Sequence, residues 1–219
     1  MSDIQSGDLP MPKGSEELTN ARKEEIVSAC AALYETMSFK DITLRDIGEK
    51  TSFTRTSIYN YFQTKEEIFL ALLTREHEAW IADMEEMIHQ NTSMDAETFT
   101  ETMTRILENR SCMLKLMSMN IYDMECNSWI ENLVDFKKSY ARAVDALTEC
   151  LEKLFPSMTD DDRTGFLYAF FPFLFGIHPF TSHTEKQLEA MKQAGIKGGD
   201  CTISELVKPF LLRLLKAFL

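Results

Sequence analysis

Three helix starts crowd into residues 43–69, and no other part of the chain limits its folding so tightly. Thr43 is followed three residues later by Asp46, and Thr64 by Glu67. Each pair has the spacing of a capping box, in which the hydroxyl accepts from the N3 amide and the acid reaches back to the cap. Between them Thr54 is placed to cap a third, short helix. The spacing predicts helices over about 44–50 and 55–61, a tight turn between them, and a long helix after Thr64 that runs to Gln90. Two short helices joined by a turn are the layout in which the second helix enters the DNA major groove.

The side chains agree with that layout. Leu44, Ile47, Phe53, Ile58 and Phe62 converge on one small core. Left outside on the second helix are Arg55, Thr56, Ser57, Tyr59, Asn60 and Tyr61, hydrogen-bonding groups of the kind that read phosphates and base edges. Lys65 falls in the first turn of the long helix, where a cation opposes the helix dipole unless an anion binds there too. Between residues 40 and 65, five bases (Lys40, Arg45, Lys50, Arg55, Lys65) face three acids (Asp41, Asp46, Glu49), a local positive excess of two. The whole chain carries a formal charge of −12. That balance excludes indiscriminate nucleic-acid binding and predicts binding on one face, weakened by salt.

Thr43, Arg45 and Ile47, then Thr54, Ile58, Tyr59, Tyr61, Phe62, Lys65 and Ile68, follow one recognisable order. Upstream, Ile26, Ala29, Leu33, Tyr34 and Phe39 fit a preceding helix and its exit. Together these residues, over about 19–75, resemble the DNA-binding domain of TetR/AcrR family transcriptional regulators. Two positions depart from the family pattern: Ser52 stands where a turn glycine is usual, and Ser38 where a glycine usually ends the first helix. Glycine suits such sites because positive φ costs it little, so either serine is strained or the local geometry differs. The resemblance implies DNA contacts from Thr43, Arg45, Thr54, Arg55, Thr56, Ser57, Tyr59, Asn60, Tyr61 and Lys65. Arg55 and Arg45 are expected at base edges or phosphates, and Tyr59, Tyr61 and Lys65 at phosphates.

Few Gly and Pro, many helix formers and no two-residue alternation point to an all-α chain of two domains. We expect a disordered tail over 1–14, a helix-turn-helix DNA-binding domain over 15–66, and an effector-binding and dimerisation domain over 67–219. The first helix is expected from Thr19 to Met37, and the segment IYDMECN, residues 121–127, as a break before a helix capped by Ser128. A helix opened by Thr159 and three aspartates is expected to reach Ile177 and to bend at Pro172. Its apolar run, residues 165–180, is too short and too proline-broken for a membrane span. Five dispersed cysteines without CxxC spacing fit reduced thiols in a cytoplasmic protein. No motif for a nucleophile, nucleotide or metal stands out, so no enzymatic activity and no cofactor are expected. His77 and His89, twelve apart with no ligating neighbour, are expected at the surface or a boundary.

Eight of thirteen methionines lie between residues 84 and 124. Methionine adapts to irregular shapes, so a methionine-lined pocket suits variable apolar ligands. The family resemblance implies a small, often lipophilic effector in this half, and Trp80, Met84, Met113, Met117, Tyr122, Trp129, Phe136, Phe170 and Phe173 are the candidate lining. The aromatic helix near 160–177 and the last helix are more apolar than one buried stripe requires, and pairing two copies would cover the excess. Phe166, Phe171, Leu174, Val207, Phe210, Leu211, Leu214 and Phe218 are the candidate dimer interface. The expected function is a repressor that binds a palindromic double-stranded DNA operator as a homodimer and lets go when its effector binds. The competing reading is a helical sensor or protein-interaction module that has lost DNA binding, which the two serines and the acidic charge favour.

Overall fold

The computed structural model describes residues 13–53, 55–119, 121–196 and 201–219. The expected cap Thr54, residues 197–200, and residues 1–12 of the expected tail lie outside the described residues. Among the described residues every regular element is a helix: α1 Lys13–Tyr34, α2 Leu44–Glu49, α3 Arg55–Ile58, α4 Lys65–Gln90, α5 Ala96–Glu108, α6 Ser111–Met119, α7 Ile121–Cys126, α8 Ile130–Leu154, α9 Asp160–Thr181, α10 Glu185–Gln193 and α11 Ile203–Phe218. The chain divides into two compact units at Ile68/Phe69.

In the first unit α2 packs against α1 and α3. Its core is Ile26, Cys30, Tyr34, Ile42, Ile47, Ile58 and Ile68, all essentially sealed from solvent. Thr43 and Asp46 form the expected capping box at the start of α2. At α4 the Glu67 amide donates to Thr64 Oγ1 at 3.2 Å, and the Glu67 carboxylate accepts the Gln63 amide at 2.7 Å. Three boundaries differ from expectation. The first helix begins at Lys13, inside the expected tail, and ends at Tyr34. The recognition helix is a single turn, and Tyr59–Tyr61 follow as a tight turn closed by Asn60 N–H to Ser57 O and Tyr61 N–H to Ile58 O.

In the second unit α6 packs against α9, and α11 packs against both α5 and α9. The core holds Trp80, Met84, Phe99, Met103, Met113, Met117, Met124, Leu147, Phe166, Phe170, Leu174, Val207, Leu211 and Leu215. The expected break at 121–127 is mostly helix α7, because Met124 anchors it in the core. Ser128 does not cap α8; its hydroxyl donates to Met124 O at 2.7 Å and so closes α7. Thr159 and Asp162 form the expected capping box of α9, and Thr184/Gln187 and Thr202/Glu205 form two more. α9 runs past Ile177 to Thr181, through Pro172 and Pro179. Neither proline has an N–H to offer the carbonyl one turn back, at Tyr168 and Phe175 respectively.

The residues expected at a dimer interface lie on α9 and α11. Phe166, Phe171, Leu174, Val207 and Leu211 are buried within the protomer. Phe210 stacks on Phe173 with ring centroids 3.7 Å apart. The Phe218 ring would lie 3.0 Å from a Cβ built on Gly165, so the absent side chain of that glycine admits it. Leu214 remains half-buried. The two helices pack on each other, and α11 packs on α5.

Candidate nucleic-acid interface and effector site

The face outside the first core is polar. Thr43, Arg45, Thr56, Tyr59 and Asn60 are exposed, and Ser57 and Tyr61 are half-buried. α3 contains Arg55, whose side chain lies outside the described residues. Arg45 pairs along its own helix with Glu49 at 2.9 Å, an exposed pair that a phosphate would readily displace. Asp46 is held below the usual carboxylate range by the Thr43 hydroxyl and amide. Between the starts of α2 and α4 lies a recess of about 490 Å³, lined by Ile42, Thr43, Leu44, Arg45, Thr64, Lys65 and Glu66.

Lys65 does not project freely into that recess. Its ammonium donates to the carbonyls of Phe39 at 2.7 Å and Ile42 at 3.0 Å, with Lys40 O at 3.3 Å. It also lies 4.7 Å from the centroid of the Phe39 ring. An ammonium has three protons, and three carbonyls take them up. The cation therefore ties the α1–α2 connection to the start of α4, and this is also why it tolerates the positive end of the helix dipole.

The two serines carry no strain. No non-glycine residue among those described has positive φ. Ser52 is held from α1 instead: its amide donates to Glu25 Oε1, and its hydroxyl to Glu25 Oε2 at 3.1 Å. Thr51 Oγ1 lies 3.0 Å from the carbonyls of both Gly48 and Phe53, across the same turn. Ser38 donates to Asp41 Oδ2 at 2.6 Å. The local geometry differs from a glycine turn, and side chains hold it.

The sequence reading missed Arg22. Its guanidinium donates to Tyr61 Oη at 3.1 Å and lies 5.9 Å from the centroid of the Phe53 ring. No local signal marks it, because its partners are more than thirty residues away.

The candidate effector residues separate into two groups. Trp80, Met84, Met113, Met117, Phe136 and Phe170 are buried. Tyr122 and Trp129 are 77% and 62% exposed, so they line no interior chamber as arranged here. Phe173 is half-buried against Phe210. Trp80 and Phe171 form a T-shaped pair with centroids 6.0 Å apart, and Phe171 and Tyr140 another at 5.4 Å. Phe171 and Tyr140 also line a groove of about 660 Å³ between α8 and α9, together with Val144, Thr164, Leu167, Tyr168, Pro172 and Phe175.

His77 is a correction: it is buried, 1% exposed. Its ring stacks on Phe136 with centroids 5.7 Å apart. The Ser139 hydroxyl donates to Phe136 O at 2.8 Å, so it accepts from His77 Nδ1–H at 3.2 Å. That network assigns the neutral tautomer, and burial lowers the imidazole pKa to about 4. The sequence signal was its place in the run Leu73, His77, Trp80, Met84, which follows the 3-4 spacing of a buried stripe. Among the described residues, Trp80 Nε1 and Thr100 Oγ1 are the buried side-chain polar atoms without a hydrogen-bond partner.

The first unit is a small helical unit carrying a helix-turn-helix, and the second is a larger helical unit with a methionine- and aromatic-rich interior. Residues 26–72 match the sequence family described as "Bacterial regulatory proteins, tetR family", and residues 74–216 match "Tetracyclin repressor-like, C-terminal domain". The chain belongs to the TetR family of DNA-binding transcriptional regulators. An uncharacterized HTH-type transcriptional regulator of Bacillus subtilis, YfiR, is 31% identical over 62 residues, which span 28% of this chain and 30% of that relative. A TetR-family transcriptional regulator from Mesorhizobium loti has the same fold at 14% identity, with a TM-score of 0.57 over 91% of this chain and 96% of its own. So does the transcriptional regulator FadR from Bacillus subtilis, solved in complex with stearoyl-CoA, at 15% identity and TM-score 0.57 over 90% and 98% of the two chains. Family and fold are those of transcription regulators rather than enzymes. No helix among the described residues is long and apolar enough to cross a membrane.

Proposed function

We propose that the protein is a cytoplasmic repressor that binds a palindromic operator as a homodimer and is released when a small lipophilic effector enters the second unit. The observation that carries the reading is the polar, exposed face of Thr43, Arg45, Thr56, Tyr59 and Asn60 outside the core of Ile47, Ile58 and Phe62. In this reading residues 15–66 bind DNA, and 67–219 bind the effector and a second copy. Arg55 reads base edges, Arg45 and Thr43 meet a phosphate at the recess, and Tyr59, Asn60 and Tyr61 position the backbone, with Arg22 behind Tyr61. Lys65 acts by position, holding the segment from which α2 starts.

The buried methionines support a lipophilic effector. So does the likeness to a FadR solved with stearoyl-CoA. The α8–α9 groove, with Tyr168 79% exposed beside it, is the surface we assign to the second copy. A titration of the protein against DNA upstream of its own gene, with a scrambled control and a salt series, tests the reading. Two subunits per site and a steep loss with salt are expected. Binding no tighter than to the control, repeated across a genome-wide fragment selection, would favour a sensor without DNA binding.

A further inference from the structure

We propose that the effector carries a hydrogen-bond acceptor, a carbonyl oxygen, that docks on the indole N–H of Trp80, so that the site selects an oxygenated lipophile over a hydrocarbon of the same length. The inference rests on the effector-binding reading above and deepens it. Trp80 is fully buried on α4, and its Nε1 has no partner. A buried tryptophan ordinarily finds an acceptor for that N–H, and an unmet one is costly. Thr100 Oγ1, the other unpaired atom, is a weaker signal. A threonine hydroxyl rotates, and in a helix it can turn to the carbonyl one turn back. The indole N–H sits at the far side of a rigid ring and cannot turn to its own backbone.

Among the described residues it makes no hydrogen bond. Phe171 lies T-shaped to Trp80, and the next buried side chains along α4, Ile81, Met84 and Met87, carry no oxygen or nitrogen acceptor. His77, one turn earlier, is engaged by Ser139. The interior thus combines an adaptable apolar body with one unanswered donor. That is the complement of a hydrocarbon chain with one carbonyl. A site with a donor in place rejects a ligand that leaves the donor unpaired.

The chain has two tryptophans, Trp80 buried and Trp129 exposed, so its indole N–H region holds two nuclear magnetic resonances. A Trp129→Phe variant assigns them. Methyl laurate and dodecane, matched in chain length, are the probes. Methyl laurate is expected to move the Trp80 indole proton downfield and to bind roughly tenfold more tightly than dodecane. Trp80→Phe, checked for helicity and operator binding, is expected to reduce that preference to about twofold or less. The proposal is overturned if the Trp80 resonance is unmoved at saturation, if the wild-type affinities are equal, if Trp80→Phe keeps the preference, or if methyl laurate does not bind. Binding of methyl laurate at Trp80 without any operator complex would retire the regulator reading alone. Effector-driven release of DNA with no Trp80 response would retire only the carbonyl contact.

Discussion

His77 enters a buried, stacked site in its neutral form, and its pKa falls from an ordinary 6.5 to about 4. The folded state therefore resists protonation that the unfolded chain accepts below pH 6.5. The stability this group contributes is complete above pH 6.5 and is lost as pH falls towards 4. Between pH 7.5 and 5 the loss is about 2 kcal/mol. Urea unfolding at the two values measures it, and His77→Gln, which cannot titrate, is expected to flatten the difference. Tyr140, also beside the ring, is held neutral by burial and does not titrate in that window. Two cations on the other unit separate by role. Arg45→Ala is expected to lower the salt slope of operator binding by about one unit. Lys65→Met is expected to leave the slope unchanged and to lower stability by about 1–2 kcal/mol, through loss of its bonds to the carbonyls of Phe39 and Ile42. A reduced slope for Lys65→Met would return it to the phosphate.

At the scale of the element, what the sequence announced was local. Thr43 with Asp46 and Thr159 with Asp162 sit three residues apart, and their bonds form whatever the rest of the chain does. What it hid was distant. Glu25 reaches Ser52 across twenty-seven positions, and Lys65 reaches Phe39 across twenty-six. Neither spacing is periodic, so no pattern marks them. The length of α3 was misread for a related reason: Tyr59–Tyr61 carry helix-compatible residues, but the chain must turn there to bury Phe62. The Glu25 clamp is testable as a unit. Glu25→Ala is expected to weaken operator binding several-fold by loosening the turn before α3. Adding Ser52→Gly should leave the double variant little worse than the single, since the glycine no longer has a side chain to be held. A double-mutant cycle on operator affinity, with a coupling of about 1 kcal/mol, checks it. Independent losses at the two positions would deny the clamp.

For the whole molecule, an all-helical chain with a helix-turn-helix near its start was legible, because helix periodicity and composition suffice for that. Assembly was not. Periodicity names the apolar face of a helix but not what covers it: within the protomer α11 packs against α5 and α9. The α8–α9 groove is the surface proposed above for the second copy. Tyr168→Glu is expected to leave the fold intact, to give a monomer by light scattering, and to abolish high-affinity operator binding. A dimer that survives the change would move the interface elsewhere.

The hold of Glu25 on Ser52 also has a meaning in descent. A glycine at position 52 can take up the turn unaided, but a serine is steadied by the carboxylate on α1. The two positions then behave as one inherited character. Lineages that keep serine at 52 should keep an acid at 25, and lineages that return to glycine should let position 25 drift.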